Sequence, residues 1–161
     1  MEYLQSYFRV RSATYDDIEA IGAITREAFT RYAEMSPNAD PDALRETPKD
    51  IKRDIDTKIV LIAESNNVPV GSVRVAIDET TKTAYLSRFA VKINSQNNGI
   101  GKSLMNLVDE IMKKHGVRQI SLHTDSELAP LIRFYYGRGF HIDSTDKSKG
   151  YTRAYLIKKY E

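Results

Sequence analysis

From residue 95 to residue 103 the sequence reads Ser95-Gln96-Asn97-Asn98-Gly99-Ile100-Gly101-Lys102-Ser103, with two glycines two positions apart at the start of an amphipathic helix pattern. A glycine turn at a helix N-terminus presents backbone N–H groups that lack a helical acceptor, at the positive end of the helix dipole. It suits an anion such as phosphate. Three nucleotide-binding patterns use such turns. A P-loop, G-x-x-x-x-G-K-S/T, finds Gly101, Lys102 and Ser103 but has Gln96 in place of its first glycine. A dinucleotide fingerprint, G-x-G-x-x-G, finds Gly99 and Gly101 but has Leu104 in the third place. The acidic residue that this fingerprint expects about 20 residues later has only Asp125 as a counterpart. The pattern Q/R-x-x-G-x-G/A is complete in Gln96, Asn97, Asn98, Gly99, Ile100 and Gly101.

Other reactive chemistry is sparse. The chain has no cysteine, which excludes a disulfide, a thiolate metal site and a cysteine acyl-enzyme. His115, His123 and His141 lack metal-ligand spacing, and His115 suits a cation at a helix C-terminus, so no metal is expected. The 24 basic and 22 acidic residues are spread along the sequence, giving a net charge of +2 and little support for a nucleic-acid surface. The start "MEYLQSYFRVRS" lacks the features of a signal peptide, and no apolar run approaches the ~20 residues of a membrane span, which makes the cytoplasm the expected compartment. At 161 residues with 41% apolar composition, one domain over residues 1–161 is expected.

The elements that must position the turn follow from periodicity. "FRVRSA" alternates as a short strand, and "TYDDIEAIGAITREAF" follows as a helix with Thr14 as N-cap and Asp16 and Asp17 in its first turn. The polar stretch from Thr30 to Glu46, with Pro37 and Pro41, reads as a loop holding one helical turn at most. Pro48 then opens a short second helix. "KIVLIAES", "VGSVRVAI" and "AYLSRFAV", joined by short polar links, read as an antiparallel meander. After the glycine turn, Ile100, Leu104, Leu107, Val108, Ile111 and Met112 mark a helix that "KKHG" closes. "VRQISLHT" is a strand, "APLIRFYYG" a short helix opened by Pro130, and "FHIDST" and "RAYLIKKY" are two closing strands. The resulting order, β α α β β β α β α β β, argues against a P-loop. That turn follows an early strand of a largely parallel sheet, whereas this one follows an antiparallel meander.

With a strand "FAV" before it and an amphipathic helix after it, the complete pattern resembles the acetyl-CoA motif of the GNAT superfamily of N-acetyltransferases, and "RFYYGRGF" is similar to that family's later FYxxxGF segment. The resemblance extends from about residue 8 to residue 160 and is sharpest from Tyr85 to Phe140. It implies an α/β GNAT-like fold, a mixed, mostly antiparallel sheet of six to seven strands flanked by about four helices. It also implies an acetyl-CoA-dependent N-acetyltransferase that moves acetyl directly to an amine of a small molecule or peptide in a ternary complex.

By the same resemblance, Gln96 belongs to the coenzyme A site, and the diphosphate lies on the backbone N–H groups of Asn97, Asn98, Gly99, Ile100, Gly101, Lys102 and Ser103, the two glycines letting the main chain reach its oxygens. Phe89, Ala90 and Val91 offer main-chain groups to the pantetheine amides. Tyr135 stands near the sulfur, where a phenol of pKa ~10 can protonate the departing thiolate. Tyr136 is its substitute if the register is off by one. Leu128 occupies a place where the family often has asparagine. The acceptor amine must lose a proton, and Glu34, in the loop between the first two helices, is the candidate base. A non-catalytic acyl-CoA-binding sensor or partner module with this fold is the alternative, since a phosphate-binding turn establishes binding and not turnover. The expected partners are acetyl-CoA and an amine, with no nucleic acid or membrane, and the expected assembly is a monomer or homodimer.

Overall fold

Alternating and helical patterns become strands and helices in the expected order. The computed structural model describes residues 8–161; of the N-terminal stretch read above, residues 1–7 lie outside the described residues. The elements are β1 (Phe8–Ser12), α1 (Ile18–Met35), α2 (Pro48–Thr57), β2 (Ile59–Ser65), β3 (Val68–Asp78), β4 (Thr83–Val91), α3 (Ile100–Lys114), β5 (Gln119–Asp125), α4 (Ala129–Gly137), β6 (His141–Asp146) and β7 (Arg153–Lys159). They form one seven-stranded sheet in the order β1-β2-β3-β4-β5-β7-β6. All neighbours are antiparallel except β4 and β5.

Helices cover both faces of the first half of the sheet. On β2, Val60 and Ile62 pack with Ile21 of α1 and Ile51 of α2, while Leu61 and Ala63 belong to the cluster that holds Leu104, Val108 and Met112 of α3. Burial on both faces explains why this strand reads as an unbroken apolar run instead of alternating. Among the described residues, no helix is long and apolar enough to cross a membrane.

Two local readings need correction. The polar stretch starting at Thr30 is not a loop at first: α1 continues to Met35, because nothing before Pro37 breaks it and its polar residues face solvent. It ends at Ser36, the residue before Pro37, where helical backbone is disfavoured. Thr14 caps a single 3-10 turn, Tyr15–Asp17, that precedes α1, and its N–H donates to the Asp17 carboxylate at 2.7 Å. At α2 the expectation holds: Pro48 stands in the first turn, and Thr47 and Asp50 cap each other reciprocally.

The parallel pair β4–β5 positions the site. It is hydrogen-bonded only where Thr83–Tyr85 meets Gln119–Ser121, although β4 runs on to Val91 and β5 to Asp125. Beyond this seam the two strands part. On its other side β4 carries a bulge: Ser87 faces Arg74 and Ala90 faces Ser72, leaving Arg88 and Phe89 opposite Val73 alone. Arg88 takes a φ of +52°, an unusual conformation for a bulky residue and one that bends the strand. The last turn of α1 spans the opening, where Tyr32 Oη accepts the Asp125 N–H at 2.9 Å and Ser36 Oγ donates to the Asp125 carboxylate.

Candidate active site

Where β4 and β5 part, a cleft opens. Phe29 and Tyr32 of α1, residues 85–89 of β4, residues 122–124 of β5 and Leu131 and Tyr135 of α4 line it. A strand edge without a neighbour presents free backbone N–H and C=O groups, so β4 from Leu86 onward can pair with an extended, amide-bearing ligand.

Tyr135 closes one wall. Its ring centroid lies 6.1 Å from that of Phe89, 5.5 Å from Phe134 and 5.8 Å from Phe140. Burial pushes its phenol well above the ordinary value, so the hydroxyl keeps its proton at neutral pH. Tyr136 is half-exposed outside the cleft and accepts the Ile142 N–H at 3.2 Å. Thus Tyr135, and not its neighbour, is the tyrosine at the cleft.

The glycine turn sits beyond the end of β4, to which the Gln96 amide ties it by donating to Val91 O at 3.2 Å. The Ile93 N–H donates to Glu27 of α1 at 2.9 Å, fixing the approach to the turn. Gly99 caps α3 with φ +82°, a conformation that costs glycine least. Asn97 and Asn98 are exposed, as is Lys102, whereas the Ile100 side chain is core. Gly101 differs from expectation in what its missing side chain makes room for. A Cβ there would stand 2.9 Å from Phe89 Cζ and 3.4 Å from Phe134 Cζ. The glycine admits an aromatic pair, whose rings stack at 5.3 Å.

A model of the acetyltransferase (GNAT) family matches residues 20–140. The chain belongs to that family. Its sheet, helices and order of elements are those of solved relatives. A coenzyme A complex of the PaiA N-acetyltransferase of Thermoplasma acidophilum superposes with a TM-score of 0.82 at 21% identity, covering 96% of this chain and 99% of that one. The ribosomal-protein-S18-alanine N-acetyltransferase of Escherichia coli superposes at 0.76 and 17% identity, covering 95% and 94%. In sequence, the spermidine N(1)-acetyltransferase of Thermoplasma acidophilum is 33% identical over 78 residues. That match spans 48% of this chain and 46%, about half, of the curated relative.

In this GNAT chain, Phe89 and Tyr135 line one cleft and Gly101 of the turn abuts Phe89 behind it, but Glu34 does not join them. It lies in the last turn of α1, exposed, 3.5 Å from Arg31, and lines a separate depression with Glu27, Thr30 and Ile93. The structure brings in residues that the sequence reading missed. Tyr85 and His123 line the cleft, and Tyr85 Oη lies 2.7 Å from His123 Nδ1. Arg88 is held from behind by Glu46 at 3.2 Å, and Glu46 also grips the fully buried Arg74, which reaches Asp54 at 2.9 Å. Alternation along "AYLSRFAV" could have placed Tyr85 on the face opposite Leu86. Its meeting with His123, 38 positions away, depends on the β4–β5 seam and has no local signal.

Proposed function

We propose that this chain is an acetyl-CoA-dependent N-acetyltransferase acting on an amine of a small molecule or peptide in a ternary complex. The observation that carries the reading is the unpaired edge of β4. Among the described residues this edge has no neighbour from Leu86 onward and leads toward the glycine turn, with a protonated tyrosine on the facing wall. Each part fits a segment of the donor: the free amides of α3's first turn suit the diphosphate, the β4 edge suits the pantetheine amides, and the Tyr135 hydroxyl suits the sulfur.

Acetyl-CoA supplies the acyl group as a thioester, and direct attack by the amine places charge first on the carbonyl oxygen and then on sulfur. The bulged stretch of β4 turns backbone N–H groups out of the ladder, where one can stabilise the oxygen. Tyr135 gives its proton to the leaving thiolate, and the apolar walls of Phe29, Leu122 and Leu131 exclude water.

A thiol-release assay with acetyl-CoA and an amine panel tests this reading. The panel includes spermidine and an alanyl peptide, the acceptor types in the names of two of the relatives. Turnover of one amine class above the rate of hydrolysis is expected. Coenzyme A that raises the melting temperature with no turnover on any amine would make the chain a binding module instead.

A further inference from the structure

The acetyl-transfer reading leaves one requirement open: at neutral pH an alkylamine is an ammonium, with a pKa near that of lysine, ~10.4, and must lose a proton before it can attack. Among the described residues, none that lines the cleft carries a carboxylate. The cleft does carry a hydrogen-bonded phenol and imidazole. Tyr85 stands at the last paired position of β4, opposite Ser121, and His123 lies two residues further along β5 on the same face, because side chains alternate along a strand. Tyr85 is 40% exposed and lines the cleft, while its hydroxyl lies 2.7 Å from His123 Nδ1. Tyr155 backs the imidazole from β7, with ring centroids 4.9 Å apart, and holds its orientation.

We propose that Tyr85 and His123 form the proton relay that deprotonates the acceptor, with Tyr85 the catalytic contact and His123 the base acting through it. This rests on the acetyl-transfer reading. In the step, an N–H bond of the bound ammonium breaks as its proton passes to Tyr85 Oη, while the Tyr85 O–H proton passes to His123 Nδ1. The products are a neutral amine, a neutral phenol and an imidazolium. Charge is conserved, and no other reactant is needed. Tyr85 regains its starting form in the same event, so it never has to persist as a phenolate.

The surroundings suit these roles. The charged and titratable groups around the pair are Arg88 on β4, Tyr155 and Arg153 on β7, Asp146 on β6, Tyr32 on α1 and Tyr135 on α4. Desolvation and then Arg153 lower the histidine pKa, Asp146 opposing them, so His123 is neutral at pH 7 and has a lone pair to offer. Desolvation raises the Tyr85 phenol, which therefore holds the proton that it must pass on.

The experiment is the pH dependence of kcat/KM, from about pH 5 to pH 10.5, for acetyl-CoA with spermidine and with an alanyl peptide as acceptors. It compares wild type, Tyr85→Phe, His123→Gln and the double variant. With the relay, the wild-type rate falls only as pH drops through the histidine range, below about 6.5. Each single variant should need amine that is already neutral. Its acidic limb should then move up toward the pKa of the free amine, with at least about a tenfold loss at pH 7 and recovery at high pH. The double variant should be no worse than the weaker single, since the two residues act as one unit.

Stabilisation by coenzyme A, read by thermal shift, should be unchanged in all four proteins. Tyr85→Phe keeps the ring and its packing, so it answers even if His123→Gln folds poorly. An acidic limb that stays in place in Tyr85→Phe, or losses that multiply in the double variant, would overturn the relay while leaving the acetyltransferase reading intact. Absence of wild-type turnover on every amine would overturn both.

Discussion

Gly101→Val separates two explanations for the second glycine of the turn. On the sequence reading alone, a branched side chain here would block phosphate. In the structure its Cβ would stand 2.9 Å from Phe89 Cζ and 3.4 Å from Phe134 Cζ, so the first casualty is a stacked aromatic pair. Overpacking of this kind costs about 1–3 kcal/mol. Valine in place of glycine returns a few tenths, up to about 0.5 kcal/mol, in helix propensity. With a central overpacking cost of about 2 kcal/mol, the net loss is about 1.5 kcal/mol, which in a chain of this size lowers the melting temperature by about 3–6 °C. Thermal unfolding without ligand reads that loss directly. Phe89→Ala in the Gly101→Val background removes the ring that the valine meets, so the two changes should cost less together than the sum of each alone. The same four proteins, melted with saturating coenzyme A, report whether binding is lost separately from stability. An unchanged melting temperature for ligand-free Gly101→Val, or strictly additive losses in the cycle, would refute the packing explanation.

On the proposed mechanism, in which the hydroxyl protonates the departing thiolate, Tyr135→Phe should lower kcat at least about tenfold while leaving coenzyme A binding largely intact; Tyr136→Phe, outside the cleft, should do little in the same steady-state assay. Glu46→Ala strands the fully buried Arg74 with Asp54 as its remaining partner and frees Arg88 at the bulge. Chemical denaturation should show a loss of about 3 kcal/mol, the low end for breaking a buried ion pair. The Arg11 guanidinium, bonded to Asp17 at 2.8 and 2.9 Å, holds that carboxyl below its ordinary value. The pair therefore stabilises the fold above about pH 4 and that stabilisation is lost as pH falls through the folded-state value, so Asp17→Asn should flatten the acid limb of melting temperature against pH.

What the sequence revealed, and what it hid, follows from the range of each interaction. The helix from Ile100 and the antiparallel meander are written in local periodicity and short turns, and both are found where the pattern puts them. Tyr135 is picked out through the resemblance to FYxxxGF, with Tyr136 as its substitute, and only the packing of the Tyr135 ring against Phe89 and Phe140 separates the two. The extension of α1 past Phe29 was hidden because Arg31 and Glu34 give its exposed face the composition of a loop, and only the tertiary role of Tyr32 shows what the extra turn is for. The bulge at Arg88 is held by Glu46, 42 positions earlier, and the Tyr85–His123 contact exists only because two distant strands run parallel. Such pairings leave no periodic trace in either segment.

The two halves of the sheet meet through backbone at one end of the cleft and through hydroxyl groups at the other. Three residue pairs stitch β4 to β5, and the reach of Tyr32 and Ser36 to Asp125 spans the gap where the stitching stops. The aperture is therefore gauged by two side chains, like a spacer set between two plates. Its width can be adjusted by point substitution, Tyr32→Phe or Ser36→Ala, while every strand keeps its register. Openings of different girth can be set on one scaffold in this way, without a change to β4 or to the glycine turn.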